Sequence, residues 1–358
     1  MKKHFKFGIL IMLLLLLVYP ALTGCSKTST EKDGILIGLS LDSIVVERWQ
    51  RELEIIVSSV NEMGAEIDVQ IANEDLQKQT DQIKYLIDKK VDVLIVVPND
   101  ARGFFDVLTE ADRNNIPVIA YDRLIMHPNI DLYISFDNVE IGKGISKKLL
   151  DEMLKNSDNS EQLADEPLNL VIINGDPKDN NSILLNKGFY ETLQPILDQG
   201  LVNVVEETWA NEWREQYASD SVEKVLASGK KIDGIIAAND VLATGAIEVL
   251  SRWRLAGTVP VVSQDAELSA CQRIVEETQL ATAYKPIYDL AKLTAKVAVG
   301  MARGEKIITN DTIYNSFESI PYLKLDAYVV DKDNLDAVII QGGFHRKEDI
   351  YRNIDSNN

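Results

Sequence analysis

Short apolar runs alternate with longer amphipathic stretches from residue 35 onward. Residues 35–41 (ILIGLSL), 66–72 (EIDVQIA), 91–97 (VDVLIVV), 117–121 and 132–136 read as buried strands. Between them, residues 46–63 place Trp49, Leu53, Ile56 and Val60 at spacings of three and four, one face of a helix. Residues 76–89 and 103–115 are helical in the same way. The rhythm restarts after Asn138, with helices over 141–154, 181–199, 212–228 and from Asp240 to about Trp253. Strands are expected at 168–173, 202–206, 234–238 and 259–263. Repeated strand–helix units imply right-handed crossovers and parallel sheets, so the fold class is α/β with two doubly wound lobes. The polar stretch 157–167 (SDNSEQLADEP) interrupts the pattern and is expected to be a solvated surface loop.

The first 24 residues do not belong to that pattern. Lys2, Lys3 and Lys6 precede eleven residues, 8–18, without a polar side chain, and Leu22-Thr23-Gly24-Cys25 follows. A basic head, a short apolar run and small residues at the end make a signal peptide, too short to span a bilayer as a mature helix. The L-x-G-C ending is similar to the bacterial lipobox, which implies lipidation at Cys25 and an extracytoplasmic, lipid-anchored protein. Residues 26–33 (SKTSTEKD) read as a tether.

Composition narrows the functional classes. The formal charge of −19 becomes −22 without the three signal lysines, and 334 residues remain, enough for two domains. Such acidity excludes nucleic-acid partners, whose phosphates need Lys and Arg, and disfavours an anionic membrane surface. Cys271 is then the only thiol beyond Cys25, so no intrachain disulfide is expected from the rest of the chain. His4, His127 and His345 are scattered, which argues against a zinc site, and neither a G-x-S-x-G elbow nor a paired-carboxylate signature stands out. Gly142-Lys143-Gly144 lacks the third glycine of a dinucleotide loop and reads as a glycine-containing first helical turn. We therefore expect no enzyme activity, no metal and no cofactor.

The candidate chemistry lies where strands stop. Asp42, Asn99–Asp100, Asp122, Asp137–Asn138, Asp176, Asn239–Asp240 and Gln264–Asp265 all follow apolar runs. In open α/β sheets that edge binds ligands. Helix capping is the competing explanation, and Asp42, Asp137 and Asp240 are assigned to caps or turns. Asp122–Arg123 pairs an acceptor with a planar donor fork, suited to a polyhydroxylated molecule, although a structural ion pair satisfies the same residues. Trp49 and Tyr121 are assigned to the core.

Eight collinear fragments carry a family resemblance. They are Glu47-Arg48-Trp49-Gln50, Ala120-Tyr121-Asp122-Arg123, Tyr133-Ile134-Ser135-Phe136-Asp137-Asn138, Asp179-Asn180-Asn181, Asn239-Asp240, Gln264-Asp265-Ala266, Tyr284-Lys285-Pro286 and Gly342-Gly343-Phe344-His345. Together they resemble the D-xylose-binding proteins of bacterial ABC transport, type I periplasmic-binding-protein folds of the ribose/galactose/xylose group. The resemblance implies that Arg48, Asp122 and Arg123 reach the sugar from the first lobe. It implies Asp179, Asn181, Trp213, Asn239 and Asp265 from the second, with Lys285 near a crossover and Trp213 stacking on the ring. The insert 157–167 is longer than the link usual in that family. The tail 351–358 is charged and expected to be disordered.

The expected protein is a lipid-anchored pentose binder with no catalytic role. Its first lobe spans 34–138 plus 267–318 and its second 139–266 plus 319–350. Hinge closure would deliver the sugar to an ABC permease, or present the closed form to a membrane histidine kinase; ribose, glucose or galactose remain alternative ligands.

Overall fold

A run of five wholly buried residues, Val93–Val97 (VLIVV, β3), sits in the middle of the first sheet, as expected for a parallel strand covered on both faces. The computed structural model describes residues 34–155 and 166–354. The signal segment, Cys25 and the tether lie outside the described residues, as do most of the insert 157–167 and the end of the tail.

The first sheet contains β1 (Leu36–Leu41), β2 (Glu66–Ile71), β3, β4 (Val118–Tyr121), β5 (Leu132–Phe136), β11 (Asp311–Tyr314) and β12 (Ser319–Leu325), in the order β11-β12-β5-β4-β3-β1-β2. All its pairs are parallel except β11 with β12. The second sheet is ordered β13-β10-β9-β8-β6-β7. It is built from β6 (Leu168–Asn174), β7 (Val202–Trp209), β8 (Gly234–Ala237), β9 (Val261–Gln264), β10 (Ala281–Tyr284) and the antiparallel β13 (Tyr328–Asp331). The α/β class and its two sheets follow the expected pattern.

Helices flank both sheets. Helix α1 (Glu47–Glu62) buries Trp49, Ile56 and Val60, as its spacing predicts, and packs on the late helix α9 (Ile287–Ala302). Helices α2 (Leu76–Asp88) and α3 (Phe105–Arg113) serve the first sheet. Around the second sheet lie α4 (Asn138–Lys155), α5 (Asn180–Asp198), α6 (Gln216–Ala227), α7 (Asp240–Arg252) and α8 (Leu268–Val275). Helices α4 and α5 touch at two glycines: a Cβ on Gly142 would collide with the Leu185 carbonyl, and one on Gly188 with that of Val139. Gly142 is thus a helix-packing residue, in the second turn of α4 rather than the first turn expected.

Two expectations need correction. The expected lobe boundaries at 267 and 319 do not hold: α8 and β10 belong with the second sheet, since Ala281 pairs with Val262 of β9. β12 belongs with the first, where Tyr322 pairs with Tyr133 of β5. The chain passes between the sheets at Asp137, between Tyr284 and Ile287, and between Leu325 and Tyr328. Strands of four to seven residues, followed at once by an element of the opposite half, leave little periodicity to mark those points. The helix expected over 212–228 begins only at Gln216. Glu212 and Trp213 both have φ of +54°, outside the right-handed helical region, so a short irregular turn (Asn211–Trp213) stands ahead of it and the helix cannot start earlier.

Candidate functional site

The carboxyl ends of the two sheets face each other, and the polar residues that stop the strands meet there. Arg48, in the first turn of α1, donates to Asp122 Oδ1 at 2.8 Å and lies 3.7 Å from Asp265 Oδ1 across the cleft. Lys285 Nζ closes the chain of charges, 2.7 Å from Asp265 Oδ1. These four residues are nearly buried. Removing four charges from water costs several kcal/mol each unless they pair, and here each has its opposite within reach.

A second set adjoins the first. Arg123 donates to Asp42 Oδ2 at 2.9 Å and to the Pro98 carbonyl at 3.1 Å, while its Nε lies 2.8 Å from Asp179 Oδ2 in the other half. Asp179 also caps α5 through the Asn181 N–H, at 2.9 Å. The Asn181 amide reaches back across the cleft to the Asp122 carbonyl (3.1 Å) and to Asp122 Oδ2 (3.2 Å). Asp122 has φ of +60°, tolerable for Asp, and its carbonyl accepts from Tyr133, Ser135 and Asn181. Three donors on one carbonyl hold a backbone that would otherwise relax.

Electrostatics follow from this packing. Burial alone would raise the Asp122 carboxyl, but Arg48, Lys285 and Arg123 hold it below the usual carboxylate range. Burial opposes the Arg48 charge, and Asp122, Glu52 and Asp265 more than offset it, so that guanidinium stays protonated. Burial pushes Asp179 up, with Arg123 offsetting only part of the shift.

Trp213 stands beside this array. Its ring covers Gly175, where a Cβ would collide with the indole. A cavity of about 50 Å³ is lined by Trp213, Trp49, Arg123, Asp42, Asp176 and Asp179, among others. Asn239 is buried just beyond the end of β8 on the second half, and its side-chain oxygen caps α7 through the Leu242 N–H at 2.9 Å. The structure therefore brings Arg48, Asp122, Asp265 and Lys285 into one cluster, and Arg123, Asp179 and Asn181 into its neighbour. Asn239 is committed through its oxygen to a helix cap. A larger open groove, about 1150 Å³, lies at the amino ends of the second sheet's strands and contains none of these residues.

The cap assignments divide. Asp137 does cap, accepting from the Glu140 N–H at 3.1 Å. Asp42 instead takes Asn99 and Arg123, and Asp240 is a buried hub rather than a cap, Asn239 holding the cap position. Tyr121 and Trp49 are core residues as assigned, and the guanidinium carbons of Arg48 and Arg123 lie 4.4 Å and 5.6 Å from the centre of the Trp49 ring.

Glu52 escaped the sequence reading. It is fully buried, accepts from Arg48 Nε at 2.7 Å and from the Tyr121 hydroxyl, and fixes the guanidinium from behind. Its spacing of four from Arg48 on one helix was the available signal. Among the described residues no group of His, Cys, Asp and Glu could hold a metal, and no helix is long and apolar enough to cross a membrane.

Comparison with known proteins identifies the family. Residues 37–306 match the model of the periplasmic binding protein domain. The D-xylose-binding periplasmic protein of Haemophilus influenzae is 38% identical over 339 residues, covering 94% of this chain and 98% of the relative. The protein of the same name from Escherichia coli (strain K12) is 35% identical over 317 residues, covering 88% and 92%. Among solved structures, an ABC transporter solute binding protein from Clostridium phytofermentans with bound β-D-glucose has a TM-score of 0.79 at 24% identity, covering 88% of this chain and 99% of its own. With a family model spanning most of its length and relatives above one-third identity end to end, this chain belongs to the periplasmic binding protein family.

Proposed function

We propose that the chain is an extracytoplasmic D-xylose-binding protein that closes around one sugar and delivers it to an ABC permease. The observation that carries this reading is the meeting of Arg48, Asp122, Asp265 and Lys285 with Arg123, Asp179 and Asn181 at the facing sheet edges. Each sugar hydroxyl both donates and accepts, so a site needs carboxylates to accept and Arg, Lys and Asn to donate. A xylose entering between the halves exchanges protein–protein pairs for sugar hydroxyls, with Trp213 against the C–H face. The Asn239 oxygen serves its helix, which leaves its amide nitrogen for the ligand. The names of the two relatives supply the choice of xylose.

The two halves act as lobes, and the crossings at Asp137, at 285–286 and at 326–327 act as the hinge. A ligand that binds only the closed form shifts the population toward it. We further propose that Cys25 carries the lipid that keeps the protein at the outer face of the membrane. Its relatives are binding proteins, and no catalytic step is assigned. A sensor kinase reading the same closure is the second use of this chemistry, and a pull-down from membranes separates it from the permease. Titrating the purified chain with D-xylose while following tryptophan emission tests the binding claim. A change saturating at one sugar per chain supports it; no change in emission or melting temperature contradicts it.

A further inference from the structure

Behind Asp265 lies a buried polar cluster that the proposed site does not use. Asp265 (φ +104°) and Ala266 (φ +52°) are consecutive non-glycine residues in the left-handed half of backbone space, an arrangement that persists only when its surroundings hold it. The Asp265 N–H donates to the Ala283 carbonyl at 2.8 Å, and the Ala266 N–H to Thr282 Oγ1 at 3.1 Å. The Glu267 N–H donates to Asp240 Oδ2 at 2.9 Å. Asp240, fully buried, also accepts from Thr282 Oγ1 at 3.0 and 3.1 Å, from Gln279 Nε2 at 3.2 Å and from the Ser263 hydroxyl. It is the first residue of the helix that Asn239 caps.

We propose that Asp240 is a positioning residue for the sugar site: its carboxylate fastens the Asp265–Glu267 loop to β10 and so fixes where the Asp265 carboxylate points. Asp240 touches no ligand and acts through two links, directly on the Glu267 N–H and through Thr282 on the Ala266 N–H. Only a group with acceptor capacity alone satisfies this place, because its neighbours all arrive as donors. A protonated carboxyl would have to donate, competing with the Ala266 N–H for Thr282 Oγ1 and loosening the loop. The charged and titratable groups facing Asp240 and the loop it holds are Asp265 and Glu267 from the loop itself, Arg273 and Cys271 from α8, and His345, whose Nε2 lies 2.9 Å from the Ala266 carbonyl. Burial, reinforced by Asp265 and only partly offset by Ser263 and Arg273, pushes the Asp240 carboxyl up to about 6. Burial, Asp240 and Asp265 push Glu267 up to about 8.

This inference rests on the sugar-binding reading, and the test separates the two. D-xylose affinity is measured from pH 5 to 8 for the wild type, Asp240→Asn, Thr282→Val and Glu267→Gln. Hydrogen exchange across residues 264–268 is followed without sugar and corrected for intrinsic rates. The wild type should lose affinity below about pH 6. Asp240→Asn should bind about tenfold more weakly at pH 7.5, about 1.4 kcal/mol, with no step near pH 6. Thr282→Val should be weakened while keeping the step, and Glu267→Gln should keep it too. Asp240→Asn with wild-type affinity and profile overturns the proposal, as does a step that vanishes in Glu267→Gln instead. If Asp240→Asn does not fold, Thr282→Val decides: weakened binding supports the clamp and wild-type binding overturns it. If the wild type binds no xylose, the functional reading fails, and exchange alone decides the clamp. Faster exchange at 264–268 in Thr282→Val upholds it, and unchanged exchange overturns it.

Discussion

At the scale of single residues, Asp122 carries the densest set of demands. Its side chain pairs with Arg48, its carbonyl takes three donors, and its backbone sits at positive φ. Asp122→Ala should therefore weaken sugar binding by roughly 30-fold to several-thousand-fold, the equivalent of about 2–5 kcal/mol for one partner of a buried charged pair. Titration of the variant checks this, with circular dichroism to show that the fold persists; wild-type affinity would remove Asp122 from the site. The sign of its pH linkage follows from its depressed pKa. The pairing stabilises the fold above the unfolded carboxylate value near 3.9 and is lost as pH falls through the lower folded value. The Asp122–Arg123 pair was legible from the strand it ends. Glu52 was missed although it lies three residues after Trp49 and four before Ile56, on the buried face of its helix, because a glutamate's identity argues for solvent while its position argues for the interior.

At the scale of elements, the turn that presents Trp213 shows how a strained segment is seated. Glu212 and Trp213 share left-handed geometry, the Glu212 N–H donates to Asp176 Oδ2 at 2.6 Å, and the indole packs against Gly175. Any side chain at 175 would push the ring out. Gly175→Ala is expected to shift the tryptophan emission, weaken sugar binding several-fold and cost about 1–3 kcal/mol of stability by overpacking. Fluorescence and thermal melting of the variant measure each part, and an unchanged emission spectrum with wild-type affinity would show that the ring's seat does not matter. Apolar periodicity made the long helices and buried strands readable. It could not reveal this turn, since two consecutive positive φ values at Glu and Trp come from tertiary contacts rather than local preference. Nor could it place β10 and β12, four and seven residues long, on their proper sheets, because a short strand's partner is chosen by the ladder it extends.

At the scale of the whole molecule, two doubly wound sheets set their carboxyl edges against one another, and acids from one half find bases from the other. Arg123 with Asp179, Arg48 with Asp265 and Asn181 with Asp122 span the cleft. Sugar binding in this account replaces those cross-cleft pairs with hydroxyls, so specificity depends on how many buried charges a given sugar leaves unmatched. That claim is most directly tested by calorimetric titration of residues 26–358 with D-xylose, ribose, glucose and galactose in parallel. The account predicts one-to-one binding of D-xylose, tighter than the other three. Absence of heat with all four sugars, or a clear preference for one of the others over xylose, would contradict it.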